Sequence, residues 1–298
     1  MKRMLWIAML LLATVPALAH PSVSVVMDSR GNVYYSDLKQ VWWIAPDGKK
    51  SVAVPNVHTH ELYMDASDNL YGEHLWYEGE ATDKWGHYVW RLAPDGKLTK
   101  IIPGREGFRD DYRDFSFVRD RAGNSYWALR EARPVVIRKA APDSKVTDWG
   151  AGAGLHDVRW MTATPEGAVY FIDGPDLVRI TTDGKAVRLA RGLKEYAWPQ
   201  SWLGRALQLV SRAAGDPHNL MGLWTDASGN VYVAVSGARK VKRISPAGSV
   251  EVVAESPLGW SPTGGLVAPN GDLWLLEYAG PFSVRVRRLG RDGKERTY

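Results

Sequence analysis

Apolar and polar residues alternate with a period of two through most of this chain, in short segments punctuated by turn residues. That is the pattern of half-buried strands, not of helices. The clearest case is LYMDASDNLY at residues 62–71, an apolar stretch, an acidic turn and a second apolar stretch. Related versions stand at 25–34 (VVMDSRGNVY), 117–126 (FVRDRAGNSY), 161–170 (MTATPEGAVY), 223–232 (LWTDASGNVY) and 265–274 (GLVAPNGDLW), six copies in all. Each predicts strand, tight turn, strand.

A second landmark follows each copy. Turns of the type Pro46-Asp47-Gly48-Lys49 recur at 94–97, 142–145, 182–185, 246–249 and 291–294. Proline presets one turn dihedral and glycine supplies the positive φ of a tight reversal, so the flanking strands fold back antiparallel. Between the landmarks lie QVWWI, YVWRL, PVVIRKA, DLVRI, KVKRI and VRVRRL, in which β-branched and aromatic residues alternate with arginine or lysine. Every copy thus predicts four strands, A to D, in one antiparallel unit. Six such units, at spacings near the roughly 40–50 residues of propeller repeats, predict an all-β, six-bladed β-propeller. An open solenoid would want atypical capping repeats at its ends. The first and last units here are ordinary, which favours a closed ring.

The motif Asp-x-x-Gly-Asn-x-Tyr, followed by a strand ending Arg-Ile and by Pro-Asp-Gly, resembles the NHL-repeat propellers and, more widely, the gluconolactonase-like or SMP-30-like propellers. The resemblance covers nearly all of the chain after residue 19. It implies the propeller fold; for function it implies only a choice among hydrolases, lyases and binding scaffolds. Among NHL-type propellers, peptide-amidating lyases hold a catalytic metal through histidines from different blades. The resemblance implies a ligand at His60, and Pro217-His218 resembles the Pro-His pair of such sites.

Residues 1–19 change the picture of location. Lys2 and Arg3 precede an apolar run, and Ala17-Leu18-Ala19 offers small residues for cleavage, so a secretory leader is expected, with one domain at 20–298 and a periplasmic or secreted destination. There is no cysteine, hence no disulfide framework. The net charge of +5 is spread among interspersed charges and gives no reason to expect nucleic acid. After the leader no apolar run approaches the roughly 20 residues of a membrane span.

Two stretches depart from the minimal repeat. Residues 73–87 form a long connection between strands B and C of the second unit. Residues 191–219 separate the fourth and fifth units, and Trp202, Ala206, Leu207 and Val210 lie there at helical spacing, predicting a short amphipathic helical insert between blades 4 and 5.

The connections from D to A and from B to C emerge on one face of a propeller, here called the top. Histidines gather there: His20, His58, His60, His156 and His218 precede A strands, and His74 and His87 bound the long connection. His20, His156 and His218 share one register position, five residues before the repeat, where Tyr112 and Trp260 also stand. Imidazoles converging on an axial mouth, with Glu61, Glu73 and Asp157 as carboxylates to orient them, suit a zinc-like or other transition-metal ion; the cofactor expected is a divalent metal, zinc-like or calcium. On this reading His60, His156 and His218, with His58 and His20, are metal ligands. Arg159 holds an anionic group and Tyr112 donates a proton, while Glu61, Glu73, His74 and Trp260 line the ligand site. Histidines scattered singly over exposed loops are the competing interpretation. The functional expectation is a top-face site for a small molecule, peptide or glycan, with metal-dependent hydrolase or lyase chemistry. The alternative is a non-catalytic scaffold that binds a ligand, or a protein partner through Trp202 and Leu207.

Overall fold

The computed structural model describes residues 21–79, 81–107, 115–143, 145–150, 152–197, 218–280 and 283–298. Its strands form six antiparallel sheets taken in strict chain order. Blade 1 holds β1 (Val25–Met27), β2 (Val33–Ser36), β3 (Val41–Ile44) and β4 (Lys50–Val54), and blade 2 holds β5 (Leu62–Met64), β6 (Leu70–Tyr77), β7 (Trp85–Leu92) and β8 (Leu98–Glu106). Blade 3 holds β9 (Ser125–Leu129), β10 (Val136–Ala140) and β11 (Val146–Trp149). Blade 4 comprises β12 (Val158–Ala163), β13 (Val169–Asp173), β14 (Asp176–Ile180) and β15 (Ala186–Ala190). Blade 5 comprises β16 (Leu220–Thr225), β17 (Val231–Val235), β18 (Lys240–Ile244) and β19 (Val250–Glu255). Blade 6 comprises β20 (Ser261–Val267), β21 (Leu273–Ala279), β22 (Ser283–Leu289) and β23 (Glu295–Thr297).

The repeat motif works as a hydrogen-bonded turn clamp. In blade 1, Asp28 Oδ1 accepts the backbone N–H of Asn32 at 2.8 Å, and Oδ2 accepts the Asn32 amide at 2.7 Å and the Tyr34 hydroxyl at 3.2 Å. Asp65, Asp120 and Asp226 repeat the arrangement with their own Asn and Tyr partners. The aspartate, asparagine and tyrosine of the motif are thereby one structural unit, and the glycine between them takes positive φ, as Gly31 does at 83°. Aliphatic and aromatic side chains of successive sheets fill the space between blades, for example Val33, Tyr35 and Ile44 of blade 1 against Trp274, Leu276 and Val286 of blade 6.

Blade 3 departs from the four-stranded expectation. Its innermost strand is reduced to an isolated Arg119–Ser125 bridge, because the chain bends at Phe117 and Ser116 Oγ donates to the Tyr126 carbonyl at 2.7 Å, a side chain bonding where a backbone ladder would run. In blade 2 most of the residues expected to form a long connection, 73–77 and 85–87, are instead strand. β6 and β7 run together over eight residue pairs, from Leu70 opposite Leu92 to Tyr77 opposite Trp85. Glycines make this hairpin pack: Gly72 faces Trp90 and Gly86 faces Trp76, and a Cβ on either would lie within 2.4 Å of the indole opposite. His74 and His87 therefore sit within strands, and His87 is buried with Nδ1 3.0 Å from the Gly107 carbonyl.

Among the described residues blades 1 and 6 share no strand and meet side by side. Ser24 bridges Gly265 in parallel, the Ser22 N–H donates to the Tyr278 hydroxyl at 3.2 Å, and Thr263 Oγ1 donates to the Ser22 carbonyl at 2.8 Å. On its other side the same segment reaches blade 2, where Val23 N–H and Ser22 Oγ both donate to the His60 carbonyl. The predicted helical insert lies outside the described residues. Among the described residues no helix is long and apolar enough to cross a membrane.

Candidate functional site

The innermost strands enclose a cavity of about 320 Å³ on the propeller axis. All six blades contribute to its wall, through β1, β5, Phe117–Arg119, β12, β16 and β20. Most of the lining is backbone and aliphatic or aromatic side chain. Among the described lining residues two carry charge, Glu61 and Arg119. Glu61 stands four residues before the turn aspartate Asp65, near the top; Arg119 immediately precedes Asp120, three register steps further down.

Above Glu61 the structure brings together four residues singled out from the sequence, all in blade 2. His60 Nδ1 lies 3.8 Å from Glu73 Oε1, and their side chains are only 16% and 14% exposed. His58 meets His60 edge-on, with ring centroids 4.7 Å apart. The backbone N–H of His58 donates to His74 Nδ1 at 3.0 Å, which fixes His74 as the neutral tautomer protonated on Nε2. The ring of His74 stacks on Tyr88 at 4.9 Å, and Lys100 Nζ lies over the other partner, 4.2 Å from the Tyr88 centroid. Glu73 is held by its own backbone carbonyl, which accepts Thr59 Oγ1 at 2.5 Å and Trp90 Nε1 at 3.0 Å.

Two of these imidazoles are biased toward the neutral form. Burial lowers the pKa of His58, against a smaller opposing effect from a hydrogen bond with the Leu38 backbone. Burial also lowers that of His74, reinforced by the nearby charges of His58 and Lys100. Neutral imidazoles can accept and return a proton.

The remaining candidates are placed elsewhere. His156 is exposed, and it is its backbone N–H that is fixed, donating to Asp173 Oδ1 at 3.0 Å. Burial would raise the pKa of Asp173, but the N–H groups of Asp157 and His156 and the Arg188 guanidinium together lower it. Arg159 is engaged by Asp157, Nε to Oδ1 at 3.0 Å. His218 is half-buried beside the start of β16, and Trp260 lies under the Arg285 guanidinium, 4.0 Å from its carbon. His20 and Tyr112 lie outside the described residues, as do Trp202 and Leu207.

A divalent ion bound by protein needs about three donors directed at one point. Among the described residues no three His, Asp or Glu side chains form such a group, and this includes His60 with His156 and His218. The described donor set does not fit the expected zinc-like ion or calcium. Equal register does not by itself bring residues of different blades together, and His20, also expected as a ligand, lies outside the described residues. Sequence reasoning missed Arg119 as a channel residue. Its signal is a charge at a register position that Met27, Met64, Ala163 and Val267 occupy in other blades.

No protein-family model and no curated protein matches the sequence. Solved structures similar in fold include a gluconolactonase from Xanthomonas campestris, 14% identical over 90% of this chain and 87% of that one, with a TM-score of 0.55. The calcium-binding protein regucalcin from Agrobacterium tumefaciens is 16% identical over 88% and 83%, with a TM-score of 0.52. A virginiamycin B lyase from Staphylococcus aureus, with quinupristin, is 13% identical over 95% and 86%, with a TM-score of 0.50. The likeness is one of fold, the six-bladed propeller expected from the repeat.

Proposed function

We propose that this chain is an exported, periplasmic or secreted, propeller that binds a small ligand at the top mouth of its axial channel and acts on it as a hydrolase or lyase. The observation that carries the reading is the His60–Glu73 pair, largely shielded from solvent, at the rim directly before the channel residue Glu61. With Nδ1 turned to the carboxylate, His60 exchanges a proton with the ligand through Nε2, and Glu73 stabilises the imidazolium that forms. In a hydrolysis, His60 takes a proton from the attacking water and returns it to the departing oxygen. In an elimination, it takes the proton from carbon next to a carbonyl and delivers it to the leaving group. No step is routed through a metal, since the described residues do not form a donor set for one. A gluconolactonase and a lyase on the same fold support a hydrolase or lyase class.

The test is a screen of lactones, esters and elimination substrates at neutral pH with wild-type protein, His60→Gln and Glu73→Gln. Loss of a general base costs about 10²-fold or more, so each variant is expected to lose at least that much turnover while His156→Ala and His218→Ala keep it. An activity untouched in both His60→Gln and Glu73→Gln contradicts the proposal.

Ligand capture without turnover is the second reading, favoured by a channel wall made mainly of backbone and apolar side chains. It is distinguished by tight binding of a ligand that the protein returns unchanged.

A further inference from the structure

The face opposite the histidine cluster, where the A–B and C–D turns lie, carries a cleft between blades 1 and 2. It has a volume of about 210 Å³ and shares no lining residue with the axial channel. One wall departs from the repeat. In blades 2 to 6 the aromatic residue that closes the turn motif stands opposite a cation on the next strand: Tyr71 opposite Arg91, Tyr126 opposite Lys139, Tyr170 opposite Arg179, Tyr232 opposite Arg243 and Trp274 opposite Arg288. In blade 1 the residue opposite Tyr34 is Trp43. The two rings stack, 6.4 Å between centroids and 20° between planes, and both line the cleft. Where other blades present a charged head, blade 1 presents a flat apolar plate.

Polar groups are fixed at the edge of this plate. Asp68, in the A–B turn of blade 2, accepts the backbone N–H of Ser29 at 2.8 Å and the Ser29 hydroxyl at 2.5 Å. These bonds tie the A–B turns of the two blades together and hold the Asp68 pKa below its ordinary value, so it stands there as a carboxylate. Each of its oxygens takes one of the two bonds, and a carboxylate oxygen can accept two. Arg30, from the A–B turn of blade 1, lines the same cleft. Its Nη2 donates to Asp28 Oδ2 at 3.3 Å, which engages one of the five N–H groups of a guanidinium. Leu92 and Pro94 of blade 2 add apolar surface.

These features select among ligands. One charge of each sign lines the cleft, so an anion or a cation meets a like charge, whereas a neutral ligand bearing hydroxyls can donate to Asp68 and accept from Arg30. A purely apolar ring would use Trp43 but strip water from both charged groups without replacing its hydrogen bonds. An extended peptide needs a continuous groove, and the Ser29–Asp68 bridge joins the turns of the two blades across this one. A pyranose ring meets both demands, because its C–H face packs on an indole and its neighbouring hydroxyls are donors and acceptors at once.

We infer that the cleft between blades 1 and 2 binds a neutral sugar unit, its C–H face on Trp43 and its hydroxyls on Asp68 and Arg30. This second site does not rest on the His60–Glu73 reading of the mouth.

Indole N–H spectra of protein labelled with nitrogen-15 tryptophan test it. The neutral probes are the methyl glycosides of glucose, galactose, mannose and N-acetylglucosamine, and the charged ones glucuronate and glucosamine. The Trp43 signal is the one absent from Trp43→Arg, a substitution that gives blade 1 the residue type of the other blades; if that variant does not fold, Trp43→Phe identifies the signal. At least one neutral glycoside is expected to shift the Trp43 signal and to bind more tightly than the charged sugars. A stacked aromatic contact is worth about tenfold in affinity, so that glycoside should bind about tenfold more weakly to Trp43→Arg, and more weakly also to Asp68→Asn, while His60→Gln binds it as the wild type does. Absence of any shift of Trp43 with all four neutral glycosides, or equal binding of charged and neutral sugars, overturns the inference. A shift produced by a polyproline peptide and by no sugar assigns the cleft to a peptide and overturns it as well.

Discussion

The His58 backbone N–H and the His74 ring nitrogen Nδ1, 3.0 Å apart, tie the entry of β5 to the long hairpin beside it. Protonation of His74 on Nδ1 would turn that acceptor into a donor facing a donor. Both His58 and His74 have pKa values below the ordinary histidine value in the folded protein, chiefly through burial. The folded state thus binds fewer protons than the unfolded chain as pH falls below about 6.5. The stability present above that pH is lost on acidification through the lowered folded values. Melting temperature should fall between pH 7 and pH 5 in the wild type and fall less in a His58→Gln/His74→Gln variant. An equal fall in both would show that other groups set the acid limit.

The turn clamp of the repeat predicts a stability effect remote from any ligand. Asp28 is buried and accepts five hydrogen bonds, from the backbone N–H groups of Arg30 and Asn32, the Arg30 guanidinium, the Asn32 amide and the Tyr34 hydroxyl. Asp28→Ala strands these donors and should cost about 2–4 kcal/mol in urea unfolding, with ligand binding at the mouth unchanged below the midpoint. A cost under about 0.5 kcal/mol, the range of ordinary surface substitutions, would show the motif to be dispensable.

Blade 6 carries a buried charge that only its partners make tolerable. Glu277 is 0% exposed and receives Arg285 Nε at 2.7 Å, Arg287 Nε at 3.0 Å and Ser256 Oγ at 2.6 Å, while Arg287 also donates to the Glu255 carbonyl of blade 5. Glu277→Leu takes from the buried Arg287 its buried carboxylate partner and leaves it only the half-exposed Glu295 at 3.2 Å; breaking a buried pair costs about 3–5 kcal/mol. The double variant Glu277→Leu/Arg287→Leu should recover part of that loss. Denaturant midpoints of the two variants check the order.

Ring closure depends on close backbone approach. A Cβ at Gly264 would lie 2.0 Å from the Val23 carbonyl oxygen, a contact no side chain can relieve. Gly264→Ala should destabilise by about 1–3 kcal/mol, as overpacking does, and should open the 21–24 segment to proteolysis before the rest of the chain. Uniform protection of that segment would place closure elsewhere.

The six-bladed fold was legible in the residues because its signal is local and repeated: each Asp, Gly, Asn and Tyr of the motif bonds within its own turn. What was not legible depends on contacts across the fold. The break in blade 3 comes from Ser116 bonding to Tyr126 over ten residues. The β6–β7 extension comes from Gly72 and Gly86 facing tryptophans on the opposite strand, and an alternation rich in charge hid it. The proximity of His58, His60, Glu73 and His74 was legible because the flanks of one hairpin must meet. His156 and His218 were grouped with them by register, which fixes height on the axis but not proximity, since each belongs to a different blade.

The most direct measurement is a double-mutant cycle on turnover of the first substrate found by screening, with His60→Gln, Glu73→Gln and the two combined. If the imidazole and carboxylate work as one acid–base unit, each single change should cost nearly as much as the pair and the coupling should be large. Additive losses, or a wild-type rate in either single variant, would contradict a His60–Glu73 site.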